Sequence, residues 1–245
     1  FRRVLFRSSG AVTAPGVTVL AANGSARRVV ARGPVGGFEA AGLVEPRPVT
    51  WRSGSATVHG LVWRATTAAA RPGLVVLVHG GPTGQALADW NPRVQWLVER
   101  GWTVLQPNHR GSSGYGDEYR DALVGHWGEY DTADVASGIR HATREGWGDP
   151  GRVVVMGQSA GGFTALNVAA RHPGLVHGVV ALYPVADLLA LDATTHRFES
   201  GYTQHLVGSL PAAAATFRER SPLHVAARIT APVLLLHGEI GRAHV

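Results

Sequence analysis

Five short apolar runs bounded by glycine or proline punctuate this chain: "GLVVLVHGG" (73–81), "WTVLQPN" (102–108), "RVVVMG" (152–157), "HGVVALYP" (177–184) and "APVLLLHG" (231–238). Continuous apolar runs of this length suit strands buried on both faces, because alternation with polar residues is required only where one face meets water. Segments with helical spacing separate them, at 88–100, 131–145 and 160–171; in the first, Trp90, Val94, Leu97 and Val98 are expected to share a face. Short buried strands alternating with helices predict a parallel sheet covered on both sides, so the middle of the chain is expected to be α/β.

Residues 9–45 read differently. "GVTVL" followed by "AANGSARRVV" is a strand, an Asn-Gly turn and a second strand, with no helical pattern, and the stretch is expected to be the remnant of an upstream β domain. "EPRPVTWRSGSATVHGLVWR" (45–64) then supplies two alternating strands leading into the α/β unit, and no internal repeat has the period of a whole propeller or solenoid.

The two ends match each other at the level of DNA. "FRRVLFRS" (1–8) back-translates as TTC AGA CGT GTG CTC TTC CGA TCT, and "IGRAHV" (240–245) as ATC GGA AGA GCA CAC GTC. With codons so chosen, the second string lies wholly within the reverse complement of the first and resembles a common sequencing adapter. Both ends are therefore expected to be non-native, adapter-derived segments, set aside from fold reasoning. Without Arg2, Arg3, Arg7 and Arg242 the formal charge falls by four, from +6 to +2.

That charge does not point to nucleic acid. All 23 basic residues are arginine, a bias that fits a GC-rich genome, and the interior lacks basic blocks interleaved with aromatic residues. No apolar run approaches the roughly 20 residues of a membrane-spanning helix, and no stretch reads as a signal peptide. Neither a nucleic-acid nor a membrane partner is expected, and the expected compartment is the cytoplasm, any natural leader lying upstream of residue 9. Cysteine is absent, which excludes disulfides and thiolate chemistry. No His/Asp/Glu cluster has metal-ligand spacing, so no metal or organic cofactor is implied. The oligomeric state is not encoded in any of these features.

The chemistry centres on Gly157-Gln158-Ser159-Ala160-Gly161, which fits a nucleophile elbow between a buried strand and a helix. Such a turn lifts the hydroxyl above the sheet edge, and the following helix aims its positive N-terminal end and the Ala160 amide at the same place. The same kind of turn also serves phosphate binding. "VHGGP" (78–82) closes an earlier strand 78 residues before the serine, counted from Gly81, and can present a second free amide. Acyl transfer needs at least two donors where a carbonyl oxygen becomes negative, and Gly81 and Ala160 are the candidate pair. His79 reads as a packing residue, because the triad histidine of this architecture comes last in chain order. Arg110 reads as a structural arginine bonding loop carbonyls or a helix carboxylate such as Asp134.

In their order and spacing "VHGGP", "NHRGSSGYG" (108–116), "GHWGEYDTADV" (125–135), "GQSAGG", "THRFESGY" (195–202) and "ERSPLHVAARITAPVLLLHG" (219–238) resemble the prolyl oligopeptidase family of serine peptidases, in particular its acylaminoacyl-peptidase and dipeptidyl-aminopeptidase branch. The resemblance runs over nearly all of 46–239. It implies an α/β-hydrolase catalytic domain over 46–239, with a doubly wound, mostly parallel sheet, and makes 9–45 the end of an N-terminal β-propeller. Carried over position by position, Ser159 is the nucleophile and the amides of Gly81 and Ala160 are the oxyanion hole. Val185 and Phe198 fall where the family lines the pocket for the residue whose carbonyl is attacked, although by themselves both also read as ordinary core residues. Tyr202 belongs to the same substrate-binding region; Gly201 departs from the arginine often found before that tyrosine.

The resemblance further implies an acid just after "LLLHGE" and a histidine some tens of residues later. Family-like sequence stops at Glu239, so the catalytic domain is expected to be C-terminally incomplete, with acid and base both missing and the chain as written inactive. A substitute from within the chain is Asp187 with a later histidine, His196, His205, His224 or His237. The expected function of the parent is a serine peptidase acting on short peptides through an acyl-enzyme on Ser159. The alternatives are an esterase or other acyl hydrolase on the same scaffold, and a non-catalytic α/β binding module whose elbow only holds an anion.

Overall fold

The computed structural model describes residues 3–21, 23, 27–33, 37–38, 42–65, 72–195 and 199–238, with side chains described from residue 7 onward. The five apolar runs become five neighbouring parallel strands: β6 (Gly73–Val78), β7 (Trp102–Asn108), β8 (Val153–Gln158), β9 (Gly178–Leu182) and β10 (Val233–Leu236). The alternating pair expected from 45–64 is the hairpin β4 (Arg47–Ser53) and β5 (Ala56–Trp63), which joins the same sheet antiparallel to β7. The seven strands lie in the order β10-β9-β8-β6-β7-β5-β4. Leu74, Val76 and Val155 have no exposed surface, as continuous apolar strands covered on both faces require.

Helices close both faces over the inner strands, but β10 departs from the expected burial, since Val233, Leu234, Leu235 and Leu236 are all exposed at the sheet edge. On one side α3 (Tyr130–Arg144) and α4 (Ala160–Arg171) pack Val135, Ile139, Ala165 and Val168 onto Trp51, Val76, Val155 and Val179. On the other, α1 (Pro92–Glu99) packs Val94, Leu97 and Val98 against Trp63, Val75 and Val104. Trp90 departs from the expected shared face: the helix starts after it, where the Asn91 side chain accepts from the amides of Arg93 and Val94 and Pro92 occupies the first turn. Gln95 turns inward instead. Its amide accepts from Val44 N at 3.0 Å and donates to Val44 O at 2.8 Å, tying the approach to β4 onto the helix.

A third cluster sits over the carboxyl ends of the strands. Five further helices contribute to it or flank it: α2 (Asp117–Asp121), α5 (Leu188–Thr194), α6 (Tyr202–Val207), α7 (Ala214–Arg220) and α8 (Pro222–Val225), with a 3-10 turn at Ala226–Arg228. Leu123, Trp127, Phe163, Leu188, Leu206 and Phe217 meet there.

The opening is a separate antiparallel sheet of β1 (Arg3–Gly10), β2 (Thr13–Ala21) and β3 (Arg27–Arg32). The expected hairpin is β2–β3. The segment set aside as foreign contributes β1, paired along β2 from Arg3↔Ala21 to Gly10↔Thr13. Ladder pairing is a main-chain interaction, so any β-compatible segment next to an open strand edge can make it.

Candidate active site

β8 ends at Gln158, α4 begins at Ala160, and Ser159 between them has φ 52° and ψ −122°. A non-glycine residue held there stores about 1–3 kcal/mol of strain, and the surroundings enforce it. Ser159 N–H donates to Leu182 O at 3.0 Å, while Ser159 O accepts from Phe163 N at 3.0 Å and Val185 N at 3.4 Å. The flanking glycines are needed for close approach: a Cβ on Gly157 would meet the Gly161 backbone, and one on Gly161 would meet the carbonyl oxygens of Val78 and His79. The turn is tight because two backbones pass where side chains would stand.

Parallel pairing of β6 with β8, in register Val78↔Gly157, sets the 79–84 turn beside the elbow. A Cβ placed on Gly80 would lie 3.8 Å from Ser159 Cβ. Gly81 has φ 132°, a conformation that favours glycine, and faces the same cavity as Ser159 and Ala160. Among the described residues no backbone carbonyl accepts from Gly81 N–H or Ala160 N–H.

Two cavities flank Ser159. The smaller, about 220 Å³, lies between Pro82, Ala160, Val185, Leu191 and Tyr202, with Trp127, Thr195, Glu199 and Thr203 completing its wall. Val185 is buried, and the Tyr202 hydroxyl bonds Thr83 Oγ1 at 3.0 Å; burial raises the phenol pKa above its usual range. Phe198 lies outside the described residues. Trp127 went unassigned in the sequence, where its signal was a lone tryptophan between His126 and Gly128 in a glycine-bracketed motif. The larger cavity, about 560 Å³, opens on the other side of Ser159 toward His79, Asp89, Arg93, Gln158 and Tyr183.

His79 and Asp187 are committed to structural bonds. His79 bonds Gly80 O through Nδ1 and Ser112 Oγ through Nε2, and stacks on His109 at 4.6 Å. Burial first, and the neighbouring His109 second, push its pKa down to about 3, so it is neutral and packed. Asp187 caps α5, accepting from Leu189 N at 2.9 Å and Ala190 N at 3.4 Å, which is a structural task. His237 is exposed, and His196 lies outside the described residues. Among the described residues no histidine hydrogen-bonds the Ser159 hydroxyl. Arg110 forks onto Asp134, with NH2 to Oδ1 at 2.7 Å and Nε to Oδ2 at 3.0 Å, and lies over the Tyr130 ring. No group of three or more His, Cys, Asp or Glu among the described residues is placed to hold a metal ion, and no described helix is long and apolar enough to cross a membrane.

A sequence profile of the prolyl oligopeptidase family matches residues 88–240, more than half of the chain. The chain belongs to the prolyl oligopeptidase family. Dipeptidyl peptidase family member 6 of Caenorhabditis elegans is 30% identical over 171 residues, covering 67% of this chain and 23% of that protein. The acylamino-acid-releasing enzyme of Sus scrofa is also 30% identical, over 69% of this chain and 24% of its own length. The chain thus spans about a quarter of the curated relatives it matches. Among solved structures, a puromycin-hydrolyzing peptidase of Mycobacterium tuberculosis superposes with a TM-score of 0.90 at 30% identity, covering 97% of this chain and 37% of that one. The fold is that of the family's α/β-hydrolase unit, and the relatives of this family member are serine-type peptidases.

Proposed function

We propose that the protein carrying this chain is a serine peptidase that hydrolyses short peptides, with Ser159 as its nucleophile. The observation that carries this is Ser159 at φ 52° between β8 and α4, opening on a cavity it shares with Gly81 and Ala160. The hydroxyl oxygen attacks the substrate carbonyl as its proton passes to a histidine. The oxygen that becomes negative is held by the Gly81 and Ala160 amides, each worth about 3 kcal/mol of barrier. Collapse expels the amine with that proton and leaves an acyl-enzyme; water, deprotonated by the same histidine, then releases the acid. Val185 and Tyr202, with Phe198, hold the side chain preceding the cleaved bond. The family, and the names of the relatives that release acylated amino acids or dipeptides, support a short peptide as substrate.

The acid and the histidine belong, in this proposal, to sequence following Glu239 in the natural protein. Support comes from the commitment of Asp187 to its helix cap and of His79 to Ser112 and Gly80. Residues 9–45 are the end of a β-propeller, 46–239 the incomplete catalytic unit, and 1–8 and 240–245 foreign segments.

Fluorophosphonate labelling together with an aminoacyl anilide assay tests the assignment. The full-length protein is expected to label at Ser159 and turn over the anilide, Ser159→Ala to do neither, and the 245-residue chain to be inactive. Turnover by the 245-residue chain through Ser159 would instead assign the base to a histidine inside it.

A further inference from the structure

We propose that Gln95 is a positioning residue that couples the opening antiparallel sheet to the active site. Its buried amide holds the main chain at Ala11 and Val44 against α1, whose first turn walls the larger cavity beside Ser159, so loosening that hold weakens substrate binding and spares the chemical step. This rests on the assignment of Ser159 made above.

Gln95 is 3% exposed, on a helix whose other buried side chains are apolar. Burying a carboxamide is costly unless its polar groups are met, and here they are. Oε1 accepts from Val44 N at 3.0 Å, while Nε2 donates to Val44 O at 2.8 Å and to Ala11 O at 3.2 Å. Toward Val44 the amide does what a neighbouring strand would do, taking the N–H and the C=O of one residue. These partners fix its orientation, since the flipped amide would set its oxygen against two carbonyl oxygens. Ala11 is itself buried, in the turn between β1 and β2, 84 residues before Gln95, and Val44 lies 51 residues before it on the approach to β4. One side chain thus gathers the opening sheet, the segment that follows it and α1.

From Gln95 the path to the site is short. Its backbone N–H donates to Asn91 O at 3.1 Å, and Asn91 and Arg93 line the larger cavity together with Gly81 and Ser159. The loop from the Gly81 turn to α1 is held at two places. At Ala86 the Asn108 side chain accepts from the backbone N–H at 2.7 Å and donates to the carbonyl at 3.2 Å. At the other end Trp90 meets Phe38 edge-on, with ring centroids 5.8 Å apart. Asn108 belongs to β7 in the central sheet, whereas Phe38 and both partners of Gln95 precede β4. The cavity wall is therefore tied at one end to the catalytic unit and at the other to the segment upstream of it. Displacing the opening sheet pulls on that second end. The elbow is bonded instead to Leu182, Phe163 and Val185, so the effect falls on binding.

The test measures kcat and KM of the full-length protein for an aminoacyl 4-nitroanilide in Gln95→Met and Gln95→Glu. Methionine fills similar space without a donor, and glutamate keeps an acceptor for Val44 N but sets a carboxylate against two carbonyl oxygens. Both are expected to raise KM about three- to tenfold, the net effect of one neutral hydrogen bond, with kcat within about twofold. Amide hydrogen exchange over 9–14 and 42–46 is expected to quicken in both, with exchange in β8 unchanged. Coupling is reciprocal, so labelling Ser159 of the unaltered protein with a fluorophosphonate is expected to slow exchange over 42–46. That measurement decides if neither variant folds. An unchanged KM, a fall in kcat alone, or exchange over 42–46 that ignores the label overturns the role of Gln95 and leaves Ser159 in place. A full-length protein that neither takes the label nor cleaves the anilide overturns both.

Discussion

His79 bonds the Ser112 hydroxyl through Nε2 at 2.8 Å and Gly80 O through Nδ1 at 2.9 Å, so one imidazole fixes the turn that presents Gly81. The imidazole is neutral because burial, and then His109, lower its pKa from 6.5 to about 3. Below pH 6.5 the unfolded chain binds a proton at this position that the folded one does not. Stability therefore falls with acidification between about pH 6.5 and pH 3, by up to about 1.4 kcal/mol per pH unit from this group. His79→Gln removes that contribution. Urea unfolding of both proteins between pH 7.5 and pH 5 is expected to show a shallower pH dependence in the variant; equal slopes would mean that His79 is protonated in the fold.

Arg110 and Asp134 make the second commitment beneath the site. Asp134 has no exposed side-chain surface, and it also accepts from Arg110 N at 2.8 Å. Removing the guanidinium with Arg110→Met leaves a buried carboxylate with one backbone donor, a loss of about 3–5 kcal/mol. Arg110→Lys keeps the charge but loses both the fork and the stacking on Tyr130, so it is expected to recover part of that loss and not all of it. Denaturant midpoints of the two variants read this directly, and a cost under about 1 kcal/mol for Arg110→Met would show that Asp134 is held by other partners.

The strands were legible because runs such as Val153–Met156 are apolar without interruption, the pattern of strands covered on both faces. α3 and α4 were legible for a related reason, being long enough to show a period. The four helices between 188 and 225 were not, since each has four to seven residues and its ends are set by distant groups. The amide of Leu188, for example, donates to Ser221 Oγ 33 residues away. The elbow was readable from its glycines, whose spacing is dictated by local backbone contact. Trp127 was not readable as part of the cavity wall, because Arg220, 93 residues later, and Leu206 determine where it stands. Local sterics are written in adjacent residues, whereas a cavity wall is assembled from segments that carry no mark of one another.

Strain at Ser159 separates two substitutions that both delete the nucleophile. Ser159→Ala keeps a Cβ at φ 52° and with it the steric cost, about 1–3 kcal/mol. Ser159→Gly removes that cost, while the added freedom of the unfolded chain takes back about 0.4–1 kcal/mol. The glycine variant is therefore expected to be the more stable of the two, by about 1 kcal/mol. Thermal unfolding of the pair under one condition measures the difference without reference to activity. If the alanine variant melts higher, Ser159 is not strained, the turn between β8 and α4 is an ordinary one, and the geometric case for a poised hydroxyl at residue 159 is lost.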